Sequence, residues 1–158
     1  MNGNIILRPA ELQDVRSIHL LLHDYALQGV LLDRSEEDIT LYLKNFTVAV
    51  DETGALLGCM AVRDFGNDLL EVRSLAIQPD MRKGGIGRKL VAKAIARLDE
   101  ERDNYRLFAL TLQPGFFERL NFEIVEKELF PEKIWADCVH CPKRERCDET
   151  AVIYYGKQ

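Results

Sequence analysis

Apolar positions along the chain follow two spacings, which predict strands interleaved with helices. Short apolar or alternating runs are typical of strands, and apolar residues that recur every three or four positions are typical of one helix face. Strands are predicted at 5–9, where Pro9 stops the strand, and at 46–50, 56–63, 70–77, 106–112, 122–126 and 152–155. Helices are predicted over 11–25, after the N-cap residue Ser35, from the glycine-rich segment to near Arg102, and from Pro114. The apolar residues that form the buried face of the first helix are Leu12, Val15, Ile18, Leu22 and Tyr25. The order β-α-α-β-β-β-α-β-α-β-β indicates an α+β fold whose mixed, mostly antiparallel sheet is splayed near that segment.

The glycine-rich segment joins the fourth predicted strand to the longest predicted helix. The first backbone N–H groups of a helix have no partners within the helix, and they point outward with the positive end of the helix dipole. Glycines expose this backbone to an approaching anion, and basic side chains add charge. The glycines are Gly84, Gly85 and Gly87, and the basic residues are Arg82, Lys83, Arg88 and Lys89, so a phosphate is the expected ligand.

The glycine spacing limits which class of phosphate-containing ligand the segment could bind. Neither G-x-G-x-x-G nor G-x-x-x-x-G-K-[ST] is present, whereas Arg82 to Gly87 reads R-x-x-G-x-G. That pattern resembles the pyrophosphate-binding turn of the Gcn5-related N-acetyltransferase (GNAT) superfamily. Tight packing at a helix start is the alternative explanation for the glycines. Further segments, at 29–35, 71–77, 116–122 and 131–138, resemble the acetyltransferase domain of the N-acetylglutamate synthases, here as a short, free-standing form.

The resemblance implies a three-layer α/β/α arrangement and transfer of acetyl from acetyl-CoA to an α-amine, with L-glutamate and arginine biosynthesis as the expected substrate and role. It implies that the backbone of Leu75, Ala76 and Ile77 holds the pantetheine arm. It implies that the pyrophosphate is held by Arg82, Lys83, Gly84, Gly85, Ile86, Gly87 and Arg88. It also implies that Phe117 packs against the cofactor, where many members of the family carry a tyrosine. Because a planar guanidinium binds a carboxylate through two hydrogen bonds, Arg34 and Arg73 are the candidate glutamate-binding residues.

Glu71 is the candidate catalytic base. Acyl transfer needs a neutral amine, and an α-amino group is largely protonated near neutral pH, so a group must accept that proton. Glu71 lies six residues before Ile77, where the histone acetyltransferase branch of the superfamily carries its glutamate base. The alternative is an ordinary ion pair of Glu71 with Arg73 or Arg63.

Residues 128–150 form the longest stretch without predicted structure, and this substrate-side loop contains three of the four cysteines. Cys138, Cys141 and Cys147 have partial metal-ligand spacing. Free thiols, a bound zinc and a redox-formed disulfide all stay open. Cys59, in an alternating strand, is expected in the core.

Composition limits the remaining possibilities. A length of 158 residues fits a single N-acetyltransferase domain over 1–158, and the net charge of −5 disfavours nucleic acid as a partner. No apolar run approaches the length of a membrane span, so we expect a cytoplasmic protein with no membrane partner. A small amine is the expected second substrate, and a homodimer stays open. The alternatives to glutamate acetylation are another acceptor (a different amino acid, a polyamine or a protein N-terminus) and a non-catalytic acyl-CoA sensor.

Overall fold

The computed structural model describes residues 4–129 and 149–156. The strands are β1 Ile6–Pro9, β2 Phe46–Val50, β3 Leu56–Asp64, β4 Leu69–Ile77, β5 Tyr105–Thr111, β6 Glu123–Val125 and β7 Thr150–Gly156. The helices are α1 Val15–Leu27, α2 Glu36–Leu41, α3 Ile86–Glu101 and α4 Pro114–Glu118. Over the described residues their order is the one predicted from the sequence. In this part of the chain, every helix is too short or too polar to traverse a lipid bilayer.

The strands form one mixed sheet in the order β1-β2-β3-β4-β5-β7-β6. The pairs β1–β2, β2–β3, β5–β7 and β6–β7 are antiparallel. β4 and β5 are parallel, and their register joins Leu69–Glu71 to Arg106–Phe108. The predicted α+β class with a mixed, mostly antiparallel sheet is therefore confirmed.

Contacts divide the described chain into two compact units. Unit 1 comprises the described parts of 1–62 and 72–97, and unit 2 those of 63–71 and 98–158. β4 therefore begins in unit 2 and ends in unit 1.

The core of unit 1 lies between helices α1 and α2 and one face of β2 and β3. Its buried members are Val15, Ile18, Leu21, Leu22, Tyr25, Ile39, Phe46, Val48, Val50, Cys59, Ala61 and Ala76. On β3, Gly58 lies so close to β4 and α3 that an added Cβ would be 2.7 Å from Ile77 Cδ1 and 3.4 Å from Ile86 Cγ2. Only a residue without a side chain permits this approach.

Unit 2 has its own core, formed by Leu69, Phe108, Ala151 and Ile153. A row of aromatic rings runs from Tyr105 through Tyr154 and Phe122 to Phe117, with successive ring centroids 5.1 to 6.3 Å apart. Asn121, three residues after α4, has a φ of 72°, a left-handed conformation that asparagine adopts more readily than most residues.

The first strand was predicted over 5–9 with Pro9 as its end, and β1 does end there, with Pro9 paired to Thr47 as its last residue. Because β1 is an edge strand, a missing N–H is tolerated at this position. One local prediction near the N-terminus was wrong. The first helix was expected from Glu11, but residues Leu12–Asp14 form a 3-10 turn and α1 begins at Val15. Leu12, assigned to the buried face of that helix, is 71% exposed as a result.

Candidate active site

The glycine-rich segment has the conformation that an anion-binding helix start requires. Residues Pro79–Gly84 form a 3-10 helix, Gly85 has a φ of 75°, and α3 follows from Ile86. A Cβ added at Gly84 would meet nothing within 4 Å, so the backbone there is open on its side-chain side. At Gly85 the nearest atom to an added Cβ is Arg88 Nη2, at 3.5 Å, which places the Arg88 guanidinium beside the turn. Ile86 is fully buried and anchors the helix.

Tyr25, near the C-terminal end of α1, connects this segment to the end of β4. Its hydroxyl donates a hydrogen bond of 2.5 Å to the carbonyl oxygen of Ile77. The same hydroxyl accepts a bond of 3.0 Å from Nε of Arg82, and the Arg82 guanidinium carbon lies 5.2 Å from the centroid of the Tyr25 ring. The sequence assigned Tyr25 only to the buried face of a helix. It holds two of the predicted cofactor-binding residues.

Arg34 lies in the segment between α1 and α2, and its side chain is 13% exposed. Nε donates to Asp38 Oδ2 over 2.6 Å, and Nη1 donates to Ser74 Oγ over 3.3 Å. The guanidinium carbon lies 5.0 Å from the Phe46 ring centroid, within the range of a cation–π contact. Arg34 is therefore held in one orientation beside β4.

Two histidines of α1 bind the backbone and side chains just before α2. His19 Nδ1 lies 2.6 Å from the carbonyl oxygen of Arg34, so that nitrogen carries a proton. His23 Nδ1 lies 3.0 Å from Asp33 Oδ2. The hydrogen bond from His23 holds the pKa of Asp33 below its usual value. These contacts fix the segment from which the Arg34 side chain extends.

Ser74 interrupts the regular geometry of β4. It has a φ of 55°, a left-handed conformation that is uncommon for a residue with a side chain. Its carbonyl oxygen accepts a bond of 3.4 Å from the Cys59 thiol. Burial raises the pKa of Cys59 to about 12, so this cysteine stays a neutral thiol in the core, as expected from the sequence. Arg73, the second predicted glutamate-binding residue, precedes Ser74 and is half-buried.

Unit 2 contains two further predicted site residues. Glu71 is 3% exposed and ends the parallel register of β4 with β5, opposite Phe108. Phe117 is 4% exposed, and its ring contacts Phe116 and Phe122 edge to face, with centroids 5.0 and 5.1 Å apart. The described surroundings of Phe117 are thus aromatic, and its contact with a cofactor stays a prediction.

The comparison with protein families identifies the class of protein. A model of the acetyltransferase (GNAT) domain matches residues 42–124, about half of the chain. The chain belongs to the GNAT acetyltransferase family. The matched region of this GNAT domain includes β4, the glycine-rich segment and α4.

Relatives of this GNAT domain carry two kinds of name. An uncharacterized N-acetyltransferase of Chlorobaculum tepidum is 46% identical over 93% of this chain and 94% of its own length. An amino-acid acetyltransferase of Mycobacterium tuberculosis is 33% identical over 77% of this chain and 70% of its own length. The amino-acid acetyltransferases of Neisseria meningitidis are 32% identical, but the chain spans only 29% of their length.

Solved structures of similar fold have been determined with coenzyme A. N-acetylglutamate synthase from Neisseria gonorrhoeae, complexed with coenzyme A and N-acetyl-glutamate, matches with a TM-score of 0.86 and 25% identity over 100% of this chain and 36% of that one. A Mycobacterium tuberculosis protein in complex with CoA matches with a TM-score of 0.81 and 25% identity over 94% of this chain and 97% of that one.

The cysteine-rich part of the predicted site lies outside the described residues. It includes Cys138, Cys141 and Cys147, so the zinc, disulfide and free-thiol alternatives stay open. Within 4–129 and 149–156, no three metal-ligating side chains come together.

Proposed function

We propose that this GNAT domain transfers the acetyl group of acetyl-CoA to the α-amino group of an amino acid, with L-glutamate as the acceptor. The observation that carries the proposal is the glycine-rich segment with its left-handed Gly85 at the start of α3, in a chain that belongs to the GNAT family. The names of the amino-acid acetyltransferase relatives support the choice of an amino acid. The Neisseria gonorrhoeae structure with N-acetyl-glutamate supports the choice of glutamate. A role in arginine biosynthesis and a cytoplasmic location belong to the same proposal.

The residues of the glycine-rich segment fit a diphosphate. The open side of Gly84 leaves room for phosphate oxygens, and the first N–H groups of α3 supply donors aligned with the helix dipole. Lys83 and Arg88 are exposed and add positive charge there. Acetyl-CoA, when bound, would supply the acetyl thioester, and the backbone from Leu75 to Ile77 would hold its pantetheine arm.

Glu71 would take the proton that the acceptor amine loses when its nitrogen bonds to the acetyl carbon and the carbon–sulfur bond breaks. Two features support this role: Glu71 is 3% exposed, and it lies on β4, the strand whose later residues are expected to hold the pantetheine arm. The coenzyme thiolate leaves with the bonding electrons. A thiolate is a fair leaving group near neutral pH, so a phenylalanine at position 117 is compatible with turnover.

Arg34 would bind a carboxylate of the acceptor. Two of its five N–H groups bind Asp38 and Ser74, and the other N–H groups on Nη1 and Nη2 are suited to a carboxylate. The bonds to Asp38 and Ser74 would hold the guanidinium in place before the acceptor arrives, which lowers the ordering cost of binding.

The acceptor is tested by incubating the protein with acetyl-CoA and a panel of amines. Thiol release gives the rate, and mass spectrometry identifies the acetylated product. We expect N-acetylglutamate as the product with the highest kcat/KM. Turnover of spermidine or a peptide N-terminus with none of glutamate would replace glutamate by that acceptor. Binding of CoA without turnover of any amine would favour the sensor alternative.

The base is tested with Glu71→Gln, which keeps the shape of the side chain and removes its proton-accepting charge. We expect kcat near pH 7 to fall about 100-fold or more, with the Kd for CoA within about twofold of wild type. The loss should shrink as pH rises, because an amine that deprotonates by itself needs no base. Glu123→Gln, on an exposed position of β6, is the control and should retain full activity. Equal rates for Glu71→Gln and wild type at neutral pH would remove Glu71 from the mechanism.

A further inference from the structure

The Tyr25 hydroxyl both donates and accepts a hydrogen bond. It donates to the Ile77 carbonyl over 2.5 Å and accepts from Arg82 Nε over 3.0 Å. Donor and acceptor lie 52 and 57 residues away along the chain. The hydroxyl therefore fixes the last residue of β4 and the first basic residue of the glycine-rich segment at one point.

The contacts also determine which part of Arg82 is left for a ligand. Nε donates to the Tyr25 hydroxyl, and the guanidinium carbon lies 5.2 Å from the centroid of the Tyr25 ring. A flexible arginine side chain is thus restrained at two places, whereas its terminal Nη groups are the donors best suited to a phosphate.

The position of Tyr25 is itself fixed by the backbone. Its carbonyl oxygen accepts bonds of 3.1 Å from the N–H groups of Gln28 and Val30, which close the C-terminal end of α1. Its side chain is 8% exposed and belongs to the core of unit 1. Because the Tyr25 ring is fixed in the core, its hydroxyl cannot move together with the Arg82 side chain. The hydrogen bond therefore restrains the position of Arg82.

We propose that Tyr25 is a positioning residue for the diphosphate of acyl-CoA. It acts through Arg82, whose terminal nitrogens it orients toward the phosphates at the start of α3. This inference rests on the proposed function, because it assumes that the glycine-rich segment binds an acyl-CoA.

Tyr25→Phe tests the proposal, because it removes the hydroxyl and keeps the ring that packs in the core. We expect the KM for acetyl-CoA and the Kd for CoA to rise about three- to thirtyfold, in line with loss of a hydrogen bond to a charged group, while kcat at saturation changes less than twofold. Tyr105→Phe is the matched control. Its buried hydroxyl donates to Asp99 Oδ1 over 2.7 Å in unit 2, so its loss should lower Tm but leave the KM for acetyl-CoA unchanged.

Two further measurements test whether Tyr25 acts on diphosphate binding through Arg82. Acetyl-pantetheine lacks the diphosphate, so its kcat/KM should be the same for Tyr25→Phe and wild type. In Arg82→Gln, the additional Tyr25→Phe change should raise the KM for acetyl-CoA less than twofold. Equal losses with acetyl-pantetheine and acetyl-CoA, or independent effects of the two substitutions, would overturn the role through Arg82.

The outcomes separate this inference from the proposed function. If wild type binds no CoA in a calorimetric titration, the proposed function fails and the role of Tyr25 fails with it. If wild type binds CoA and Tyr25→Phe binds it equally well, only the role of Tyr25 is refuted.

Discussion

Asp14 illustrates how one side chain organises the junction of β1 and α1. Its Oδ2 accepts bonds of 2.7 Å from Arg8 Nη1 and from the Glu11 backbone N–H, and its Oδ1 accepts one of 3.0 Å from Arg8 Nη2. Burial acts to raise the pKa of Asp14, but these hydrogen bonds outweigh it and hold the pKa below its ordinary value. The carboxylate form therefore stabilises the native state.

Asp14→Asn should destabilise the protein by about 2 kcal/mol at pH 7, because the amide cannot accept both Arg8 bonds and leaves a charged donor without its partner. The folded-state pKa is lowered, so the contribution of Asp14 is fully present above the unfolded pKa near 3.9 and is lost as pH falls through the folded value. The difference in Tm between variant and wild type should be constant from about pH 7 to pH 5 and shrink below about pH 4.

Thermal unfolding followed by circular dichroism across this pH range measures the effect. Glu37→Gln, at an exposed position in the first turn of α2, is the control and should change stability by less than about 0.5 kcal/mol. A Tm difference for Asp14→Asn that persists unchanged to pH 3 would show that the carboxylate charge is not its source.

At the scale of elements, periodicity was sufficient to predict the order of strands and helices. Apolar spacing is imposed by burial of one face, so it survives in the sequence. The residues at which helices begin were harder to predict, as Leu12 shows. A 3-10 turn and the first turn of an α-helix favour similar residue types, so the sequence does not distinguish them.

The candidate site was predictable only where the backbone itself sets the requirement. Gly85 has a left-handed φ, which glycine adopts without steric cost, so the residue type alone indicates this conformation. The sequence gives no comparable signal for Tyr25. An aromatic residue on the apolar face of a helix is predicted to be a core residue whether or not its hydroxyl has a hydrogen-bond partner. Its partners lie on β4 and in the glycine-rich segment, so only the folded chain reveals them.

Gly84→Ala separates ligand binding from folding within the glycine-rich segment. An added Cβ would contact nothing within 4 Å, and Gly84 does not need a left-handed φ, so Tm should stay within about 2 °C of wild type. Because that space is where we place the diphosphate, the Kd for CoA should rise about tenfold, which calorimetry would measure.

Gly85→Ala is the contrasting variant. Its φ of 75° disfavours any side chain, so it should lose about 1 to 2 kcal/mol of stability as well as CoA affinity. Unchanged CoA affinity in Gly84→Ala would mean that the phosphates do not approach the backbone there.

At the scale of the whole molecule, a buried cysteine reports on the core of unit 1. Cys59, on β3, is fully buried in this core. Because burial raises its pKa to about 12, the reactive thiolate is scarce in the native state. Reaction of Cys59 therefore requires that this core open.

Iodoacetamide at pH 8 should leave Cys59 unmodified in the native protein and alkylate it fully in concentrated guanidinium chloride. Peptide mapping by mass spectrometry distinguishes Cys59 from Cys138, Cys141 and Cys147. A saturating acyl-CoA should slow the reaction further, because a ligand that binds only the native state lowers the population of open states. Rapid alkylation with native circular dichroism would show that the core of unit 1 opens locally.

The end of α1 has a consequence for recombination between homologues. The carbonyl oxygen of Tyr25 accepts hydrogen bonds at the start of the loop that leads to Arg34, while its hydroxyl contacts Ile77 and Arg82, two of the residues that we propose for acyl-CoA binding. A chimeric enzyme designed for a new acceptor preference could be made by exchanging only the loop between α1 and α2. Such a graft would import a loop shaped for another helix end, so the crossover points should be placed ahead of Asp14 and beyond α2, with the whole block inherited from one parent.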